Sequence, residues 1–131
     1  MSADYKELTR SFEAQKIDPA AFRHMDHVGV AYEMLQKYDF LHATIEYARN
    51  IRMLATAAGV PEKFNTTITL AFMSLIAERM RTTPHTNYDQ FLSENADLLN
   101  RDVLGRWYSA KRLESETARQ VFLMPDIAVE T

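Results

Sequence analysis

Residues that break helices are scarce in this chain, and that scarcity constrains its fold more than any other feature. Only three glycines and four prolines occur among 131 residues. Between them, apolar side chains recur every three or four positions, which is the period of an amphipathic helix. The β-branched run over 65–70 locally favours a strand, but the apolar pattern continues unbroken to Met80 and is too long for one. The sequence therefore predicts an all-α fold, a compact single-domain bundle of about five to six helices.

Length and composition indicate one domain. A chain of this size buries roughly two thirds of the surface that its unfolded state exposes. Hydrophobic residues make up 47% of the chain and charged residues 25%, as is typical of globular proteins. We therefore expect a single helical domain over 1–131, with a core at about 20–126, a peripheral N-terminal helix and a peripheral C-terminal tail.

Breakers and capping residues divide the chain into segments. Pro19 ends the first helix, and Gly59 followed by Pro61 has the order expected at a helix C-terminus, while Pro61 also suits the first turn of the next helix. Asp26 and Ser115 are predicted N-caps. Helices are predicted over about 3–16, 24–38, 40–58, 61–81 and 88–99, with short turns or helices at 101–109 and 115–123 and a tail at 124–131.

The composition argues against several classes of function. The absence of cysteine excludes a disulfide framework, a thiolate zinc site and a cysteine nucleophile. The net charge of −3, with basic residues interleaved with acidic ones, argues against binding to nucleic acid. No serine has a nucleophile-elbow pattern, and there is no glycine-rich phosphate loop. Apolar runs fall short of the ~18 residues of a membrane span. Residues 1–10 do not resemble a signal peptide, so we expect no membrane association and a cytoplasmic location.

The segment FRHMDHVGVAYEML, residues 22–35, places two histidines on the apolar face of the second helix. His24 and His27 are three residues apart, so both imidazoles can reach one ligand or one divalent metal ion. We therefore treat both as candidate catalytic residues and as candidate metal ligands. The alternative is that His24 is exposed at the helix start and that His27 is a core residue bonded to a backbone carbonyl. The other two histidines, His42 and His85, are predicted to lie at the surface.

Polar residues also interrupt the apolar face of the fourth helix. Asn65 and Thr69 are one turn apart on that face. Thr67, Ser74 and Glu78 are assigned to a separate, more solvent-exposed face. Two helices that each place polar groups at one end of an apolar face indicate a small interior pocket. A purely local alternative is that the Thr69 hydroxyl bonds a carbonyl four residues earlier.

The C-terminal segment WYSAKRLESETARQVFLMPD, residues 107–126, resembles the end of a family of small uncharacterised bacterial helical proteins. Two further motifs of that family match in order: Phe-x-His-x-x-His-Val at 22–28, and Lys-aromatic-His/Asn-x-Thr-Ile/Val/Leu-Thr at 63–69. The resemblance covers roughly 20–126. In the C-terminal segment the matching positions are Tyr108, Ser109, Arg112, Leu113, Ser115, Ala118, Arg119, Phe122, Pro125 and Asp126.

The resemblance implies a helical fold and a shared site, but no particular reaction. It promotes Tyr108, Ser109 and Arg112 as candidates, and Tyr108 and Arg112 as substrate-binding residues, since an arginine can offer a bidentate fork to a carboxylate or phosphate. The alternative is that Arg112 is a surface arginine that ties the tail to the bundle. It also implies that many relatives carry His at the position of Asn65, which would complete a set of three histidines. Because an amide is a poor zinc ligand, the resemblance implies that metal binding is weakened in this chain.

Two functions of different classes remain open from the sequence. The first is a site for a small-molecule ligand or a metal, with the two histidines as catalytic residues and proton transfer, as in a lyase, isomerase or hydratase, as the reaction class. A bound metal would instead activate water or act as a Lewis acid. The second is a non-catalytic helical module that binds a partner protein or self-associates, for example as a homodimer, through its apolar tail. The substrate-binding residues of the first function are Asn65, Thr69, Tyr108 and Arg112.

Overall fold

The structure is a computed structural model that describes residues 5–127, and this range contains helices and turns but no β-strand. The predicted all-α fold is confirmed, although the described residues form seven α-helices, because the short C-terminal segments contain α6 and α7, of four and five residues. None of the helices in this range is both long and apolar enough to cross a membrane. The helices are α1 (Tyr5–Glu13), α2 (His24–Lys37), α3 (Phe40–Ala57), α4 (Thr66–Thr82), α5 (Tyr88–Glu94), α6 (Ala110–Leu113) and α7 (Glu116–Gln120).

Two capping predictions need correction, and one of them moves the start of a helix. Pro61 opens a separate 3₁₀ turn, Pro61–Lys63, and α4 begins only after Asn65, whose Oδ1 accepts a hydrogen bond from the Ile68 amide at 2.9 Å. Asp26 is not the cap of α2, because it lies inside the first turn and accepts from the Arg23 amide at 3.0 Å. Ser115 is confirmed as the N-cap of α7.

The core lies where α2, α3 and α4 pack against one another, and α1 contributes to it. Phe12 is buried and stacks on Phe22, while the Tyr5 ring lies directly over Gly29 of α2. A methyl group at Gly29 would overlap that ring, so the glycine permits the close approach of α1. The expectation that the N-terminal helix is peripheral is therefore wrong. Its period-3.6 pattern is short, but its two aromatic residues fill the core.

The C-terminal segment 121–127 is extended and crosses α4. Thr67 holds it: its hydroxyl donates to the Val121 carbonyl at 2.7 Å and accepts from the Leu123 amide at 3.0 Å. Thr67 is fully buried, so its assignment to the solvent-exposed face of the helix is wrong. Ser74 and Glu78 are exposed, as predicted. The tail thus covers one face of α4 that the helical pattern alone presents as solvent-facing.

Candidate ligand-binding cavity

A cavity of about 830 Å³ opens between the N-terminal ends of α2 and α4, the middle of α3 and the loop at 99–104. Its volume falls within the roughly 300–1,000 Å³ typical of small-molecule sites. Four of the six residues singled out in the sequence line it, namely His24, His27, Asn65 and Thr69. The polar ends of two apolar helix faces therefore form part of the wall of one cavity, which is open to the surface.

His27 is a largely buried histidine at this cavity. Burial, with a contribution from His24, lowers the pKa of its imidazole to about 4, while Asp26 opposes the shift and Arg101 adds to it. The ring is therefore neutral at pH 7. Its Nδ1 lies 3.3 Å from the hydroxyl of Tyr47, a residue whose phenol pKa is raised by complete burial, so that the phenol stays protonated.

The Tyr47 hydroxyl is compatible with both neutral tautomers of His27. It can donate to Nδ1, which leaves the proton on Nε2, or it can accept from Nδ1–H and donate to the His27 carbonyl, which is 3.5 Å away. In the first arrangement Nε2 is a hydrogen-bond donor, and in the second it is an acceptor. No protein partner of Nε2 is found within residues 5–127, so this atom is open to a ligand.

His24 is held in place by the backbone. Its Nε2 lies 2.9 Å from the Leu98 carbonyl, and its ring packs 5.5 Å from Phe72 and 6.4 Å from His27, measured between centroids. The alternative interpretation of the sequence expected the carbonyl contact at His27 and an exposed His24. The structure places the carbonyl contact at His24, which joins α2 to the turn Ala96–Leu99, and buries most of His27, whose Nδ1 faces the Tyr47 hydroxyl.

Asn65 and Thr69 line the cavity, but their polar atoms are already used. The Asn65 side chain accepts from the Ile68 amide and donates to the Leu113 carbonyl at 2.7 Å. The Thr69 hydroxyl donates to the Asn65 carbonyl at 2.7 Å, which is the local alternative considered above. Both residues therefore shape the wall and retain only weak capacity for further hydrogen bonds.

The donor set does not fit a metal ion well. Among residues 5–127 there is no group of three or more His, Asp or Glu side chains arranged to hold one. His24 and His27 supply at most two ligands, and His24 already uses Nε2 on the Leu98 carbonyl. The metal site predicted on these two histidines lacks a third protein ligand in the part of the chain that the structure describes.

Tyr108 and Arg112 do not line this cavity, which corrects their expected position in the site. The Tyr108 hydroxyl donates to the Leu123 carbonyl at 2.9 Å, and Arg112 Nε donates to the Met124 carbonyl at 2.8 Å. Ser109 binds the Asp126 carboxylate through its amide and its hydroxyl, at 2.7 and 2.6 Å. We call Thr67, Tyr108, Ser109 and Arg112, together with 121–127, the tail clamp.

Sequence reasoning missed four polar residues of the cavity wall: Arg23, Tyr47, Lys63 and Arg101. Tyr47 lies on the buried face of α3, four residues after Ala43 and three after Thr44, so the helical period of that face could have found it. Arg23 directly precedes His24, and Lys63 lies two positions before Asn65. Arg101 lies in a loop, where no periodicity marks a residue as part of a site.

The remaining histidines lie away from the cavity. His42 is exposed and stacks on Tyr38, with ring centroids 4.1 Å apart, in line with its predicted surface position. His85 is only half-buried in its loop, but its Nδ1 lies 2.7 Å from the Thr83 carbonyl and its ring packs on Phe91. The prediction of a simple surface role for His85 therefore overlooked its contact with the core.

Comparison with known proteins gives no match, whether to family models, to curated sequences or to solved structures. The resemblance described from the three sequence motifs therefore stays a prediction.

Proposed function

We propose that this chain binds a small organic molecule in the cavity at the N-terminal ends of α2 and α4. The observation that carries the proposal is His27, a neutral imidazole whose Nε2 is open to a cavity of about 830 Å³. Phe64, Phe72 and Ile51 provide apolar wall around it. A cavity with apolar walls and few open polar groups is the usual form of a small-molecule site.

Proton transfer is the reaction class that such a site would support if the protein is an enzyme. The acceptor would be His27 Nε2 in the tautomer whose Nδ1–H donates to the Tyr47 hydroxyl. A pKa of about 4 makes this imidazole a weak base at pH 7, so it suits hydrogen bonding to a ligand better than proton abstraction. Binding is accordingly the function proposed first, and catalysis at Nε2 the extension of it.

A tryptophan placed inside the cavity tests the proposal. Ala55 lines the cavity and Ala57 does not, so Ala55→Trp and Ala57→Trp make a matched pair on the same helix. We expect a fragment library to contain compounds that raise the melting temperature of the wild type and of Ala57→Trp but not of Ala55→Trp. The proposal fails if no fragment stabilises the wild type, or if all stabilising fragments act equally on both variants.

A second candidate function, assembly through the C-terminal tail, is favoured by a different observation. The side chains of Phe122 and Met124 are 44% and 67% exposed, although the backbone beneath them is tied to α4. Phe122→Ser/Met124→Ser removes the apolar surface and leaves the backbone contacts of the tail in place. A dimer in the wild type and a monomer in this variant, measured by light scattering, would support assembly through the tail. A monomeric wild type would contradict it.

A further inference from the structure

Three basic side chains line the cavity without a carboxylate to balance them. Arg23, Lys63 and Arg101 make no ion pair with any residue in 5–127. None of the residues that line the cavity in this range is Asp or Glu. The chain as a whole carries 18 acidic and 15 basic residues, so the local excess of positive charge runs against the overall balance.

These three cations come from separate parts of the chain. Arg23 precedes α2, Lys63 ends the 3₁₀ turn before α4, and Arg101 lies in the loop after the turn Ala96–Leu99. The N-terminal ends of two long helices lie at the same cavity, and each adds a partial positive charge there. The fold therefore brings together positive charges that the sequence keeps apart.

Four acidic residues lie close in sequence to this wall: Glu62 and Asp102 flank Lys63 and Arg101 without lining the cavity, and Asp26 and Asp97 bond other groups. Asp26 binds the Tyr5 hydroxyl and the Arg23 amide. Asp97 forms a two-bond pair with the Arg79 guanidinium, at 2.9 and 2.8 Å. None of these carboxylates lines the cavity or forms an ion pair with Arg23, Lys63 or Arg101.

We infer that the ligand of this cavity is an amphipathic oxyanion: a carboxylate or phosphate group on a small apolar body. The inference rests on the proposed function and names the substrate class of the same site. Arg23, Lys63 and Arg101 hold the anionic group, because guanidinium and ammonium donors match oxyanion geometry. His27 Nε2–H supplies a neutral donor, and Phe64 and Phe72 contact the apolar body.

Three naphthalene probes test the charge requirement, because they share one aromatic body. We would titrate the full chain with 2-naphthoate, 2-naphthyl phosphate and neutral 2-naphthamide by isothermal calorimetry. We expect at least one anion to bind about tenfold or more tightly than the amide, since charge-assisted hydrogen bonds are stronger than neutral ones. The anion that binds more tightly distinguishes a carboxylate ligand from a phosphate ligand. Raising the salt concentration should weaken binding of the anion and leave the amide unchanged.

Two triple variants matched in charge assign the preference to the cavity. R23Q/K63Q/R101Q removes the three cations, and R49Q/R81Q/K111Q removes two arginines and one lysine that do not line the cavity. We expect the first variant to bring the anion and the amide to within about threefold of each other, and the second to keep the wild-type preference. Melting temperatures close to that of the wild type would show that both variants are folded.

Other outcomes distinguish failure of the anion inference from failure of the proposed ligand-binding function. If the amide binds as tightly as the anions and Ala55→Trp abolishes all binding, the anion inference is overturned and the cavity remains a ligand site. An anion preference that survives in R23Q/K63Q/R101Q overturns the inference as well, because other residues would then bind the anionic group. If no probe binds at about 1 mM, the inference fails, and the fragment screen decides separately whether the proposed function fails with it.

Discussion

The cavity and the tail clamp use similar polar residues in opposite ways. In the tail clamp, Tyr108 and Arg112 donate to backbone carbonyls of 121–127, so they hold the tail and have little to offer a ligand. At the cavity, His27 Nε2 and three basic side chains have no such backbone partner in the described residues. The difference teaches that residue type alone does not identify a binding site. A site is identified by polar atoms that have no hydrogen-bond partner within the fold.

The largest expected effect is on the tail clamp, at Thr67. Thr67→Val keeps the shape of the side chain but removes the donor to Val121 and the acceptor for Leu123. We expect a loss of about 2–4 kcal/mol in the free energy of unfolding, because two backbone groups lose their partners at a buried position. Urea denaturation measures it.

Thr82→Val is the matched control for that variant. Thr82 is exposed at the other end of α4, and its hydroxyl bonds the Glu78 carbonyl of its own helix. Its replacement should change stability by less than about 0.5 kcal/mol. Equal losses in the two variants would mean that the tail contributes nothing beyond an ordinary helical threonine.

The next effect concerns the cavity and depends on pH. The pKa of His27 is about 4 in the folded chain and lies near 6.5 when the chain is unfolded. Between these values the unfolded state binds the additional proton, so stability falls as the pH is lowered from about 6.5 to about 4. We expect a loss of about 2–3 kcal/mol from this residue over that interval.

His27→Gln isolates the contribution of that residue. The difference in unfolding free energy between wild type and variant, measured by urea denaturation at several pH values, should shrink steadily as the pH falls through this interval. His42→Gln, at an exposed position on α3, is the control. A difference that stays constant with pH would mean that His27 is hydrated in the folded protein and that the cavity is not a low-dielectric site.

Much of the fold follows from local signals. The apolar period and the scarcity of breakers predict the helices, and α2 ends within one residue of its predicted C-terminus. Gly59, with φ of +77°, follows α3 as a glycine should. The start of α4 was misjudged because Pro61 suits the opening of a 3₁₀ turn as well as of an α-helix. Thr67 was misjudged because nothing local indicates that a distant segment will cover it.

The site residues that lie on helix faces could be predicted from the sequence, and those in loops could not. His24, His27 and Thr69 lie on apolar faces, and such faces converge when helices pack. Arg101 comes from a loop, so only the tertiary fold brings it to the cavity. Arg112 entered through a resemblance of sequence motifs, and the structure supports its alternative role, in which the guanidinium is bonded to the tail.

A smaller effect should separate stability from binding. Tyr108→Phe removes the hydrogen bond to the Leu123 carbonyl and keeps the buried ring, so we expect a loss of about 1 kcal/mol in unfolding free energy. Affinity for 2-naphthoate should stay within about twofold of the wild type, because Tyr108 does not line the cavity. Calorimetry and urea denaturation on the same preparation measure both. A clear loss of affinity would contradict this and would mean that the tail clamp contributes to ligand binding.

The smallest effect is expected at Arg112, whose replacement sharpens the contrast with Arg101. Arg112 reaches the Met124 carbonyl in an exposed contact, so Arg112→Gln should cost less than about 0.5 kcal/mol of stability. It should also leave the affinity for 2-naphthoate unchanged, whereas Arg101→Gln should weaken that affinity about threefold or more while stability stays the same. Both variants lose one positive charge, so a general field effect would lower the two affinities equally. Only a difference between them shows that the position of the charge at the cavity, and not its sign alone, determines binding.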